Sequence, residues 1–310
     1  MSEAINEERY AFVRSLYLIR KQYPRMGLFQ PDFIWVTFRS SMPSIYDRSD
    51  DDINTAVKEW CKDPVAAEIK YGHISKWNTS HVTNMKRLFQ NKRDFNDDIS
   101  KWNVSNVTSM DYMFIATPFN GDLSEWNVSK VTDMRSMFYD TSFNGDISEW
   151  NVSNVIDMSF LFYNTPFSGD ISRWNVSCVT FMSSMFTYSQ FNGDISRWNV
   201  SNVVNMNSMF NNTPFDGNIS GWDVSEVISM QSMFYQTPFN GDISRWNVSS
   251  VKNMSSMFHN TPFFRDISTW NVNNVTNKRG MFNQQPQQPQ QPQQQETERL
   301  LGQGTAGGTL

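Results

Sequence analysis

Hydrophobic residues recur along most of this chain in a pattern that repeats every 24 residues. Tryptophan marks the pattern most clearly, because after a first step of 25 residues every later step is 24. These tryptophans are Trp77, Trp102, Trp126, Trp150, Trp174, Trp198, Trp222, Trp246 and Trp270. A fixed period of this length is typical of proteins in which each unit packs only on its neighbours. The pattern therefore predicts a solenoid.

Within one repeat, the hydrophobic positions follow two spacings. The spacing i, i+3, i+5 matches the L-x-x-L-x-L framework of leucine-rich repeats and predicts a short strand over Glu149–Val152. A second set with helical spacing predicts a short helical turn, formed by Val155, Met158, Leu161 and Phe162. A second interpretation places the strand in the Met-x-x-Met-Phe segment, since period alone does not classify short apolar runs. Gly145 is expected to supply a permissive backbone at the turn between repeats.

Stacked repeats place equivalent residues in columns, and the Trp, Ile, Val, Met and Phe columns are expected to form one continuous core. The predicted fold is an α/β solenoid, a leucine-rich-repeat-like right-handed coil of about nine 24-residue repeats with short strands and short helical turns. We divide the chain into an N-terminal helical and mixed segment (1–50), a cap helix (51–70), the repeat solenoid (71–282) and a disordered Gln/Pro-rich tail (283–310).

The two ends of the repeat array differ from its middle. An amphipathic pattern predicts a helix over Glu7–Tyr23 and another over Asp52–Cys61, which would cover the first repeat. At the other end, Lys278 stands where the methionine column expects Met, and no capping helix follows. An uncapped last repeat exposes core residues and a strand edge, so weak end-to-end self-association is a further expectation.

The repeated strings FNGDISRWNVS and NVTxMxxMF resemble the BspA-like leucine-rich-repeat surface proteins, in a short variant rich in Trp and Met that occurs in bacteria, protists and large DNA viruses. The resemblance covers roughly residues 71–282. The preceding segment 51–77 looks like the N-terminal cap of such arrays. The resemblance implies a non-enzymatic repeat protein, often placed at cell surfaces and used in adhesion.

Recognition is expected at the variable columns, because the invariant ones are explained by packing. The residue before each tryptophan varies in charge, and the leucine-rich-repeat interpretation places it on the concave face. The candidate binding residues are Lys76, Lys101, Glu125, Glu149, Arg173, Arg197 and Arg245. Two interpretations stay open for this pre-tryptophan column: a solvated face whose charges drift, or a stripe that binds a partner.

Two further columns carry polar side chains. The residue after each tryptophan is Asn, or Asp at position 223, and we expect these amides to hydrogen-bond from repeat to repeat. Several begin N-x-S sequons, but repetition of one motif accounts for that. The third column is Asp98, Asp122, Asp146, Asp170, Asp194, Asn218, Asp242 and Asp266. These carboxylates are expected to accept turn N–H groups in Asx-turns; the alternative is calcium bound between repeats.

Composition narrows the function classes. A net charge of −5 argues against nucleic acid as partner, which needs a basic face. Cys61 and Cys178 are expected to be free thiols, and the three histidines are scattered without a catalytic or metal-binding motif. No apolar run has the length of a membrane span, and no secretory signal is visible, which favours an intracellular or virion location. We expect no enzyme activity and no cofactor.

The sequence thus predicts a non-enzymatic protein that recognises a protein or glycan partner through its concave face. The alternative is a structural or virion component that assembles through the ends of the solenoid. An enzyme would need an active site in residues 1–70, where nothing supports one.

Overall fold

The computed structural model describes residues 44–282. Its regular elements are confined to the start: β1 (Asp47–Ser49), α1 (Ile53–Lys62), α2 (Pro64–Tyr71), a 3-10 helix (Ile74–Lys76) and β2 (Asn78–His81). β1 and β2 pair in parallel. The helix expected over Glu7–Tyr23 and the tail over 283–310 lie outside the described residues. No helix within 44–282 has the length and apolar character that a membrane crossing requires.

The segment predicted as one cap helix contains two helices. In α1 the side chains at i, i+3, i+4 and i+7 form one apolar face, and Ile53, Ala56, Val57 and Trp60 are all buried. Pro64 disfavours helical backbone at Asp63, which has φ −151° and ψ 89°. The Asp63 carboxylate then accepts the N–H of Ala66 at 3.1 Å, so the break in the first helix is the N-cap of the second.

From Met85 onward the chain forms stacked 24-residue coils joined by backbone hydrogen bonds. In each coil, the residue directly before the first methionine position forms a parallel bridge to the next coil, and Phe258 and Phe282 form a second bridge between the last two coils. The bridge residues are Asn84, Ser109, Asp133, Asp157, Phe181, Asn205, Ser229, Asn253 and Asn277. Every second N–H after the bridge donates to the following coil; Met158, Phe160 and Phe162 donate to the carbonyls of Phe181, Ser183 and Met185 at 2.8–2.9 Å.

These hydrogen bonds between coils, which form a ladder along the stack, show that the strand expected over Glu149–Val152 was placed in the wrong segment. No strand is assigned over Glu149–Val152 within the described chain, and the N–H of Trp150 closes a turn onto the Ile147 carbonyl in its own coil. The coil-to-coil bonds lie instead in the Met-x-x-Met-Phe segment, the alternative position. The apolar spacings are right in both segments, because they record which side chains face inward and not how the backbone is bonded.

The methionine segment is also not the expected helical turn. Phe160 and Asn164 have positive φ values of 59° and 52°, and the equivalent residues of the other coils share this geometry. The N–H of Leu161 bonds to the Met158 carbonyl at 3.2 Å, so the residue with positive φ is third in a four-residue turn, as in type II turns. These alternating turns leave every second N–H free to bond to the next coil, which a helix would not allow.

The core consists of continuous columns of buried side chains. From Trp102 onward, each indole N–H of the column donates to a backbone carbonyl 27 or 28 residues earlier, as Trp174 does to Ile147 at 3.1 Å. Phe138 stacks on Phe162 of the next coil with ring centroids 5.8 Å apart, and on Phe143 of its own coil at 3.9 Å. A Cβ at Gly145 would lie 3.0 Å from the Phe143 ring, and its φ is not positive. The glycine is therefore required by close packing, not by the turn conformation expected for it.

Candidate functional site

The pre-tryptophan column is exposed along its full length. Lys76, Lys101, Glu125, Glu149, Arg173, Arg197 and Arg245 all have exposed side chains, as do Gly221 and Thr269 in the same register. Each residue lies in the turn that places the following tryptophan in the core, for example between Ile147 and Trp150. The column is thus brought together by stacking of the coils, but it lies on turns and not on the strand that was expected.

The charges of this column pair weakly with each other. Arg173 and Glu149 form an ion pair with Nη1 and Oε1 3.2 Å apart, and their side chains are 78% and 75% exposed. A pair this exposed contributes little to stability, because water screens the attraction and holding two long side chains costs entropy. The column is therefore free to vary in sequence without loss of the fold.

The aspartate column forms the expected Asx-turns. Each carboxylate, and the amide oxygen of Asn218, accepts the backbone N–H of the serine two residues later at 2.9–3.1 Å. In Asp146, Asp170 and Asp194 the hydrogen bonds from that serine's backbone N–H, and then from its hydroxyl, lower the pKa of the carboxyl. The turn accounts for this column without a metal ion.

The described residues outside the aspartate column also contain no cluster of side chains suited to bind a metal ion. Within 44–282 no three His, Cys, Asp or Glu side chains converge as metal ligands. His73 contacts the Ser75 hydroxyl at 2.8 Å and the Trp60 ring, whereas His259 stacks on Tyr235 with centroids 5.1 Å apart. Cys61 is half-buried, and burial raises the pKa of its thiol; Cys178 is exposed. No disulfide joins them.

The residues that follow each tryptophan, which form the asparagine column, do not make the expected hydrogen bonds from repeat to repeat. The side-chain oxygen of each residue after tryptophan, an amide oxygen except at Asp223, accepts the N–H two residues later in its own coil, at 3.0–3.2 Å, as Asn151 does from Ser153. These side chains cap turns, so the predicted amide ladder between coils is wrong for this column. The turn bond forms within one coil because the side-chain oxygen lies within hydrogen-bond reach of the N–H two residues later.

Side-chain bonds between coils do occur, in columns that sequence reasoning missed. In the column after the second core phenylalanine, the Asn120 amide oxygen accepts the N–H of Asn144 at 2.9 Å, and Asn144 accepts that of Ser168 at 3.0 Å. In the column before Val155, the Asn154 amide donates to the Ser129 carbonyl at 2.7 Å. The repeated asparagines of both columns were a signal, but the partner of each amide depends on the separation of the coils.

The arrangement of the columns identifies a repeat protein. Its buried columns hold the coils together, and its exposed columns differ in sequence from coil to coil. The family described as Mycoplasma protein of unknown function, DUF285, matches the chain over residues 52–166, 141–238 and 187–296. The chain therefore belongs to this family of repeat proteins, in agreement with its BspA-like repeat motif. Comparisons with curated proteins and with solved structures found no match.

Proposed function

We propose that this chain is a non-enzymatic recognition protein that binds a protein or glycan through the pre-tryptophan column. The observation that supports this proposal is the difference between the buried columns and the exposed pre-tryptophan column. Core residues recur almost unchanged and are buried, whereas the fully exposed column changes from Lys to Glu to Arg over neighbouring coils. Repeat stacks of this kind present extended surfaces to ligands.

The same proposal includes the architecture: a right-handed, leucine-rich-repeat-like solenoid, with the pre-tryptophan column on its concave face. The parallel bridges at a constant register from Asn84 to Asn277 support a solenoid. The basic part of the column, Arg173, Arg197 and Arg245, is the part that an anionic or polar ligand would contact first, because the guanidinium group offers several hydrogen-bond donors in a fixed plane.

The test is affinity capture with the full chain, followed by mass spectrometry, beside binding to a glycan array. The variant is Arg173→Ala/Arg197→Ala/Arg245→Ala. Its matched control is Lys58→Ala/Lys130→Ala/Lys252→Ala, which removes the same charge from three exposed lysines outside the column. The proposal expects a ligand that the arginine variant loses and the lysine variant keeps. A ligand kept by both variants, or lost by both, argues against this site.

A second function rests on the C-terminal end of the stack. The N–H groups of Met254, Ser256 and Phe258 donate to the last coil, but the equivalent N–H groups of Lys278, Gly280 and Phe282 have no acceptor coil among residues 44–282. An open ladder edge pairs readily with another chain, so a structural protein that assembles end to end is the alternative. Light scattering over a range of concentrations tests it: a monomer at high concentration contradicts the alternative.

A further inference from the structure

Exposed apolar side chains are concentrated on one face of the middle coils. Ile156, Phe181 and Ile228 are 48%, 39% and 45% exposed, and Val204 between them is half-buried. Phe181 is a bridge residue, and the other three directly precede bridge residues. We call the residues before the bridges the pre-bridge column: Thr83, Thr108, Thr132, Ile156, Thr180, Val204, Ile228, Lys252 and Thr276. The Ile156 carbonyl accepts the N–H groups of Thr180 and Phe181 at 2.8 and 3.3 Å, so the two columns lie side by side along the ladder.

Folding does not require these apolar residues. The backbone joins the pre-bridge column whichever residue it carries: the N–H of Thr132 donates to Thr108 at 2.9 Å, and that of Ile156 donates to Thr132 at 2.8 Å. Threonine also donates its hydroxyl to the preceding coil, as Thr108 and Thr132 do at 3.2 Å. Isoleucine gives up that bond and exposes methyl groups to water. A cluster of exposed apolar side chains, unlike scattered ones, marks an interaction surface.

Two charges lie symmetrically about the middle coil at the edge of this face. They belong to the column of Asn154, which precedes the buried valine of each coil: His81, Asn106, Lys130, Asn154, Cys178, Asn202, Glu226, Ser250 and Asn274. Lys130 and Glu226 are both exposed, and they lie two coils before and two coils after Cys178. Phe181, in the coil of Cys178, is the fifth of the nine bridge residues. A two-fold rotation about that coil therefore exchanges the positions of the two charges.

We propose that this face binds a second copy of the chain. The two stacks run antiparallel and are related by a two-fold axis through the coil of Phe181. An isologous contact of this kind places each coil opposite its symmetric counterpart. Lys130 then lies opposite the partner's Glu226, Ile156 lies opposite the partner's Val204, and the two copies of Phe181 meet at the axis. The apolar residues thus form the centre of the contact and the charges form its rim, which is the usual anatomy of protein interfaces.

This register places no charge opposite a like charge in the pre-bridge column, the bridge residues or the column of Cys178. The remaining charged residues face neutral ones: Lys252 faces the partner's Thr108, Asp133 the partner's Ser229 and Asp157 the partner's Asn205. A shift by one coil would remove both ion pairs of Lys130 with the partner's Glu226. Charges arranged in this way fix the register of a contact, although exposed pairs add little affinity.

The size of the contact indicates a weak dimer. The nine coils span about 38 Å at about 4.8 Å per step, but the contact is only three columns wide. It is therefore smaller than interfaces of standard size, whose Kd values range from micromolar to picomolar, and we expect a Kd above about 1 μM. The contact uses none of the residues of the pre-tryptophan column. Dimerisation and ligand binding at that column can therefore be measured separately.

Sedimentation equilibrium of the full chain over a range of concentrations tests the apolar centre. Ile156→Thr/Ile228→Thr introduces the residue that most coils carry in the pre-bridge column, so the coils should stack unchanged. The variant should raise Kd by at least about tenfold, because buried apolar area is lost from the contact. The matched control is Val65→Thr/Phe264→Asn, which removes two apolar side chains that are 58% and 45% exposed elsewhere on the surface. This control should leave Kd unchanged.

A charge exchange tests the register. Lys130→Glu places like charges opposite each other at both rims and should raise Kd by at least about threefold. Lys130→Glu/Glu226→Lys restores opposite charges at the same positions and should return Kd to the wild-type value. Both variants lose the bond of 2.7 Å from Lys130 to the Asn106 amide oxygen, so its loss explains no difference between them. Equal Kd values for the two variants would contradict the register.

The exposed Cys178 reports the position of the axis. Faces packed about 10 Å apart bring the two Cys178 residues within reach of a short bismaleimide but not of a disulfide. Cys61→Ser leaves Cys178 as the only thiol, and this variant should yield cross-linked dimers. An end-to-end assembly would separate the two thiols by more than about 38 Å and would yield none.

Three results would overturn the proposal. The first is a monomer at every concentration up to about 1 mM. The second is a dimer that Ile156→Thr/Ile228→Thr leaves intact. The third is a dimer in which Cys178 does not cross-link, because it would assign the association to another face of the stack.

Discussion

The first and last coils of the stack differ in how their backbone edges and core side chains are covered. At the N-terminal end, the Asp50 carboxylate accepts the N–H of Thr83 at 2.8 Å and of Asn84 at 3.1 Å, where an earlier coil would otherwise supply acceptors. Trp60 from α1 covers Trp77 edge-on at 6.1 Å and donates to Asp97 at 2.7 Å. The first coil thus has both its backbone edge and its core covered.

The C-terminal end lacks this cover among the described residues. Trp270, at 6% exposure, is the most exposed indole of the column, and Val272 is only partly buried, whereas the equivalent Val176 is fully buried. Phe282 stacks on Phe258 at 5.6 Å on one side. In a stack whose units contact only their neighbours, the stability of a terminal coil depends on what covers it. The comparison therefore predicts different mutational costs at the two ends.

Trp60→Ala should have the largest effect, because it makes the N-terminal end resemble the C-terminal one. The side chain is 3% exposed, and its loss removes both the cover on Trp77 and the bond to Asp97. We expect a loss of about 3–5 kcal/mol in the free energy of unfolding, measured by urea denaturation. Trp270→Ala, the matched change at the open end, should cost less. Equal losses would show that the cap adds no special stability.

Asp50→Ala tests the backbone part of the cap. The substitution leaves the N–H groups of Thr83 and Asn84 without their acceptor, and we expect it to lower the free energy of unfolding by about 1 kcal/mol. Asp51→Ala is the control, because that carboxylate is exposed and accepts none of the hydrogen bonds found at this edge. Hydrogen exchange should accelerate at Thr83 and Asn84 in the Asp50 variant alone. Unchanged exchange there would contradict a capping role for Asp50.

Gly280→Ala tests the backbone of the open end. Gly280 has φ 61° at the register where Ser256 of the preceding coil has φ 54°. The added Cβ would meet nothing closer than the Ser256 hydroxyl at 3.7 Å, so the expected loss of about 1 kcal/mol comes from backbone conformation alone. Ser256→Ala, which already has a Cβ, should be nearly neutral. Thermal unfolding of both variants measures the difference, and a neutral Gly280→Ala would refute the strain.

Acid should destabilise both ends in the same way, through the Asx-turns. Hydrogen bonds from the serine two residues later lower the pKa of the Asp98 and Asp266 carboxyls below its ordinary value in the folded chain. Their contribution is therefore present above the unfolded pKa and is lost as pH falls through the folded one. Asp133 acts in the opposite direction, because burial raises its pKa, and its contribution falls as pH rises through that value.

Unfolding in urea between about pH 2 and pH 5 measures this dependence. Asp98→Asn and Asp266→Asn should each reduce it by a similar amount while keeping the turn, since Asn218 forms the same turn without a charge. This is the smallest effect we predict, because both carboxylates are exposed. A clear difference between the two variants would show that the ends differ in more than their cover.

Much of the fold could be predicted from side-chain pattern, but the placement of the strand could not. The residues that face the core were identified correctly, including Ile53 and Trp60 in α1 and Phe162 in the coils, since burial follows hydrophobic spacing. The positive φ of Phe160 and Ser208 gave no sequence signal, because neither residue favours it. The contacts of Tyr163 with Tyr139 and Tyr188 also escaped prediction, since the three side chains belong to successive coils and meet only after stacking.

The sequence by itself determined the 24-residue period, the buried columns, the Asx-turns of the aspartates and the membership of a repeat family, because each depends on residues within one repeat or on its exact copying. Only the tertiary structure decided which backbone segment joins the coils, which asparagines bond within a coil and which between coils, and how each end is covered. Those features depend on the separation and register of neighbouring coils, which side-chain periodicity does not encode.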